Sequence, residues 1–109
     1  MLRLRLERAG YDVEEAVDGG DSVAQVQAMR PDLIVMDISM PGMDGIEAWR
    51  MMADLGIDRP PAIAVTAVCI SDVRLACLEA GFSAYLAKPI NFTEMLRTIE
   101  KCLITERAA

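Results

Sequence analysis

Two short stretches of the chain are apolar at every position, Leu33-Ile34-Val35-Met36 and Ala62-Ile63-Ala64-Val65. Prolines and polar residues bound both, and both carry β-branched residues, the pattern of strands buried on two faces of a parallel sheet. After the first run Ile46, Trp49, Met52 and Ala53 recur at helical spacing, and after the second Val73, Ala76 and Ala80 do so. Gly56 and Gly81 close these two helices. The same reading predicts a strand over 11–17, a helix over 21–29 with Asp21 or Ser22 near its cap, a strand over 83–87, and a closing helix over 92–103 capped by Asn91 or Thr93.

The first ten residues fit two periods. Leu2, Leu4 and Leu6 alternate with Arg3 and Arg5 as in a strand, while Leu2, Leu6 and Ala9 fall on one helical face. Helix is favoured, because a parallel crossover to a strand at Tyr11 needs a dozen or more residues and only Ala9 and Gly10 intervene. Four strands alternating with helices over short connections predict an α/β fold, a three-layer α/β/α sandwich around a doubly wound parallel sheet. At 109 residues, with no internal repeat or linker, the chain reads as one domain over 1–109 with one core.

Composition narrows the chemistry. Apolar residues make up 53% of the chain and charged residues 26%, which fits a globular interior and excludes a disordered protein. Eleven Lys and Arg against seventeen Asp and Glu give a net charge of −6, the wrong sign for nucleic acid or an anionic membrane surface. There is no histidine, so a Ser-His-Asp triad, a His-based metal site and a phosphohistidine donor role are excluded. No nucleophile elbow or glycine-rich phosphate loop is present, which disfavours a small hydrolase. Cys69, Cys77 and Cys102 form no C-x-x-C pair, and the odd count suits reduced thiols of a cytoplasmic protein. No secretory segment or apolar run of membrane-spanning length is found. Met40, Met43, Met51 and Met52 read as filler of core and loops, and Trp49 as half-buried packing.

In parallel sheets ligands sit beyond the carboxyl ends of the strands. The residues that end three of the predicted strands are Asp37, Thr66 and Lys88: a carboxylate, a hydroxyl and an ammonium. Singly each is ordinary, as a turn cap, a β-compatible residue and a solvated cation. Together they suit transfer of a phosphoryl group to a carboxylate, with the ammonium and hydroxyl stabilising the transferred oxygens. A calcium loop starting at Asp37 is rejected, since its twelfth position is Ala48 and Pro41 occupies a ligand position.

The loop Asp37-Ile38-Ser39-Met40-Pro41-Gly42-Met43-Asp44-Gly45, the pair Thr66-Ala67, and Tyr85 three residues ahead of Lys88-Pro89 make the chain resemble the CheY-like response-regulator receiver domains. The resemblance implies that Asp37 is the phosphoacceptor, that Thr66, Ala67 and Lys88 bind the phosphoryl group, and that Thr66 and Tyr85 form a switch. It implies a metal site for Mg²⁺ with Asp37 and the backbone carbonyl of Ser39 as ligands, and loop-shaping roles for Pro41, Gly45 and Pro89, with the Lys88-Pro89 bond cis. A sensor histidine kinase or phosphotransfer protein would supply the phosphoryl group, a downstream protein would read the switched surface, and the chain would catalyse at most its own Mg²⁺-dependent phosphorylation and dephosphorylation.

The family sheet has strand order 2-1-3-4-5, and 1–109 holds no counterpart of the first strand or of the acidic pair that follows it in relatives. The chain therefore reads as a receiver truncated at its N-terminus, with weakened Mg²⁺ binding and unpaired strand edges that favour a segment-exchanged homodimer. The alternative that this departure supports is a phosphorylation-incompetent pseudo-receiver, a constitutive interaction or dimerisation module.

Overall fold

The computed structural model describes residues 2–16, 19–38, 45–66 and 71–108; for residues 2, 71–73 and 105–108 it describes the main chain alone. In chain order the elements are helix α1 (Leu2–Arg8), helix α2 (Gly19–Met29), strand β1 (Ile34–Asp37), helix α3 (Gly45–Asp54), strand β2 (Ala62–Thr66), helix α4 (Ser71–Glu79), strand β3 (Ala84–Ala87) and helix α5 (Phe92–Ala108). The strands form a parallel sheet in the order β1-β2-β3. Ile34 lies opposite Ala62 and Asp37 opposite Val65, while Ile63 lies opposite Ala84 and Thr66 opposite Ala87.

The sheet is the middle of three layers. On one face Val23 and Val26 of α2, Ala48, Trp49 and Met52 of α3 and Cys77 of α4 pack on Met36, Ala62 and Ala64. On the other, Leu6 of α1 and Met95 and Ile99 of α5 pack on Ile63, Val65 and Leu86. With helices on both sides, all five residues of β2 are buried, which is why that strand shows no polar alternation. The fold is the α/β doubly wound type expected from the sequence.

Helix ends follow local chemistry. Gly56 (φ 75°) ends α3 and Gly81 (φ 102°) ends α4 in the left-handed region. At the first, the Gly56 N–H donates to Ala53 O and the Ile57 N–H to Met52 O; at the second, Gly81 donates to Leu78 O and Phe82 to Cys77 O. These paired bonds satisfy carbonyls that a helix end would leave open. At the start of α5 the Asn91 side-chain oxygen accepts from the Glu94 N–H at 3.1 Å, so Asn91 supplies the cap. That helix runs to Ala108, five residues beyond its expected end.

Two expectations need correction. The strand predicted over 11–17 does not form across its described part: residues 11–16 pair with no strand. Tyr11 and Val13 do lean onto the α1–α5 core, half-buried, while Asp12, Glu14 and Glu15 are exposed. The alternation thus reports burial correctly, but a strand also needs a neighbouring ladder, and here the side chain of Gln25 donates instead to the Glu15 carbonyl at 2.7 Å. Trp49, expected half-buried, is 3% exposed. It stacks on Phe82 with centroids 5.1 Å apart, donates from Nε1 to Ala80 O at 2.7 Å, and carries the Arg59 guanidinium 4.1 Å above its ring. Cys77 is buried and Cys102 half-buried, with burial pushing the Cys102 thiol up; Cys69 lies outside the described residues. Among the described residues no helix is long and apolar enough to cross a membrane.

Candidate functional site

Asp37 is the last residue of β1, Thr66 the last of β2, and Lys88 follows the last residue of β3. The parallel register therefore brings all three to one rim of the sheet, each a step further along than its neighbour on the preceding strand. Main-chain bonds fix the steps: the Ile38 N–H donates to Val65 O at 2.9 Å and the Lys88 N–H to Thr66 O at 2.8 Å. The charged Asp37 and Lys88 thus lie at the rim, past the buried Met36 and Leu86 of the same strands, where water reaches them.

Across this rim the Lys88 ammonium reaches over the end of β2 and donates from Nζ to Asp37 Oδ2 at 2.6 Å, 51 positions away in the chain. The two side chains are 42% and 38% exposed. A pair so open to water contributes at most about 1 kcal/mol to stability, so its importance is chemical. It holds a compact cation against a carboxylate that solvent-borne reagents can reach. The Lys88-Pro89 peptide is cis.

Thr66 is 1% exposed, set between the open pair and the core. Tyr85 lies opposite Ala64, two residues before Thr66 on β2. Period-two alternation puts Thr66 and Tyr85 on the same sheet face, and Tyr85 packs, half-buried, against the cluster of Met36, Trp49 and Phe82. Gly45 opens α3 directly under the strand end, its N–H donating to Ile38 O at 3.2 Å. The sequence places Gly45 in the loop but does not show Met36 as its neighbour. Ser39, Pro41 and Ala67 lie outside the described residues. Among the described residues no three His, Cys, Asp or Glu side chains gather into a metal-holding group.

The family model of the response regulator receiver domain matches residues 1–100. The chain belongs to this family. Among curated relatives of this receiver domain, the response regulator MprA of Mycobacterium leprae is 38% identical over 102 residues, which cover 94% of this chain and 44% of that protein. MprA of Mycobacterium avium is 36% identical over the same length. The receiver domain thus spans less than half the length of these relatives. Among solved structures it superposes on a CheY-like receiver domain protein of Methanospirillum hungatei with TM-score 0.87 at 29% identity, covering 98% of this chain and 85% of that one. It also superposes on the receiver domain of a sensor histidine kinase from Pseudomonas aeruginosa, which has a magnesium ion coordinated in its active-site cleft, with TM-score 0.83 at 33% identity, covering 94% and 84%.

Proposed function

We propose that this receiver domain, one unit over 1–109, accepts a phosphoryl group on Asp37 from a sensor histidine kinase or phosphotransfer protein. The observation that carries the reading is the 2.6 Å contact between Lys88 Nζ and Asp37 Oδ2, which holds a cation beside a solvent-reachable nucleophile. In the reaction an Asp37 carboxylate oxygen attacks phosphorus, a new P–O bond forms, and the bond from phosphorus to the donor breaks with its electron pair leaving on the donor. The Lys88 ammonium passes from the carboxylate to a phosphoryl oxygen as negative charge gathers there. The Thr66 hydroxyl and the Ala67 backbone N–H donate to the others. Drawing Thr66 toward the phosphate vacates space on its side of the sheet, and Tyr85, on that same face, turns into it. The surface of α4, β3 and α5 changes as a result, and a downstream protein reads it.

The residues fit Mg²⁺ as a hydrated ion. That ion takes one or two carboxylates and otherwise keeps its waters, and Asp37, 38% exposed, provides one hard oxygen ligand. The Ser39 backbone carbonyl would provide another, and with these two protein ligands the ion would be held weakly. When bound, it neutralises charge on the phosphoryl oxygens. The net charge of −6 favours protein partners over nucleic acid or membrane, and the odd number of cysteines without a C-x-x-C pair suits a cytoplasmic setting. Among the described residues β1 is paired only to β2, which supports a segment-exchanged homodimer; sedimentation as a strict monomer across concentrations counts against that.

The test is incubation with acetyl phosphate and Mg²⁺, read by intact mass. The expected result is a gain of one phosphoryl group that is lost in Asp37→Asn. Equal gain in the variant, or none in the wild type at any Mg²⁺ concentration, overturns the reading.

A further inference from the structure

The glycines of this chain serve two different needs. Gly10 and Gly56 have positive φ, of 100° and 75°, and a Cβ on either would meet nothing within 4 Å. Gly45 is the reverse: its φ is not in the left-handed region, but a Cβ there would lie 2.7 Å from the carbonyl oxygen of Asp37, 2.7 Å from Met36 Cγ and 3.1 Å from the Cα of Ile38. Those are three consecutive residues of one strand end. Glycine is required at 45 for room, and the room is taken up by the main chain that carries the candidate nucleophile.

We propose that Gly45 is a positioning residue for phosphoryl transfer: by letting the first turn of α3 seat on the Asp37 carbonyl, it sets the Asp37 carboxylate against Lys88. The proposal rests on the reading of Asp37 as acceptor. Two observations join it to the chemistry. The Gly45 N–H donates to Ile38 O, and the Ile38 N–H in turn donates to Val65 O of the neighbouring strand, so the residue after Asp37 is held from both sides. Lys88 is separately anchored through its own N–H to Thr66 O. A methyl group at 45 therefore displaces Asp37 but not Lys88. Relieving a 2.7 Å contact takes about half an ångström, the tolerance within which reacting groups must be held. The Met36 side chain, 2% exposed, is itself packed in the core cluster with Ala48, Trp49 and Met52.

The experiment compares the rate of Asp37 phosphorylation by acetyl phosphate, per folded molecule, in four proteins: wild type, Gly45→Ala, Lys88→Ala and the double variant. Gly45→Ala is expected to slow the reaction about ten- to a hundredfold. Because it acts by misaligning Asp37 with Lys88, Lys88→Ala should then cost less than about tenfold in the Gly45→Ala background, against on the order of a hundredfold in the wild type. Gly56→Ala, which strains a left-handed residue far from any neighbour, is the control for lost stability. An unchanged Gly45→Ala rate, strictly additive effects, or equal slowing by Gly56→Ala overturns the proposal. If Gly45→Ala does not fold, Met36→Ala and Met36→Ala with Gly45→Ala carry the same comparison, since the clash that then remains is with the main chain of Asp37 and Ile38; equal rates in that pair overturn it. A wild type that gains no phosphoryl group on Asp37 instead sinks the functional reading itself.

Discussion

The two ends of the sheet are built in opposite ways. Where the chain enters β2 and β3, Trp49 is sealed among Phe82, Arg59 and the Ala80 carbonyl, with its polar N–H satisfied and 3% of its surface exposed. Where the chain leaves the strands, Asp37 and Lys88 meet about two-fifths exposed, joined by a single ion pair. The first arrangement derives its strength from buried area and dispersion, the second almost none from anything. Packing sits at one end and an open ion pair at the other, with the buried sheet between them.

The sharpest way to break that division is Trp49→Ala. It removes a buried indole, its stack on Phe82 and the seat of Arg59, and should lower unfolding free energy by about 3 to 5 kcal/mol, measured by urea denaturation. The rate of Asp37 phosphorylation in the molecules that stay folded should be unchanged. Lys88→Ala is the converse. It should slow phosphorylation by acetyl phosphate on the order of a hundredfold while changing stability by less than about 1 kcal/mol. A Lys88 variant that unfolds, or a Trp49 variant whose folded fraction is slow, would merge the two ends. The smallest effect belongs to Arg59→Ala, which loses the cation over the indole and a bond from Nη1 to the Trp49 carbonyl at 3.1 Å. It should cost about 1 to 2 kcal/mol, visible as a lowered urea midpoint with no change in rate.

The same contrast explains what could be read from the letters. The open end was legible because apolar runs mark buried parallel strands and the residue ending each run must lie at the rim; the placement of Asp37, Thr66 and Lys88 follows from that rule, as does the proximity of Asp37 to Lys88. The helices after β1 and β2 were legible through their period and their terminal glycines. The sealed end was not, since Trp49, Arg59, Ala80 and Phe82 meet from one helix and two separate connections and no local period links them. The segment over 11–16 was half legible: alternation told which side chains turn inward, but whether an extended stretch becomes a strand depends on a hydrogen-bonding neighbour. The pressure of Gly45 on Asp37 was hidden for a related reason, because a glycine near a helix start looks the same whether it serves a turn or a close approach.

The carboxylate and the amine that meet at this rim are separated by 51 positions, and neither contributes much to holding the other's strand in place. A nascent or frayed chain whose last strand is still outside the sheet presents the aspartate without this ammonium. The paired geometry at this rim therefore exists only once the final strand has joined the sheet, and a chain short of that step holds the aspartate in place without its ammonium.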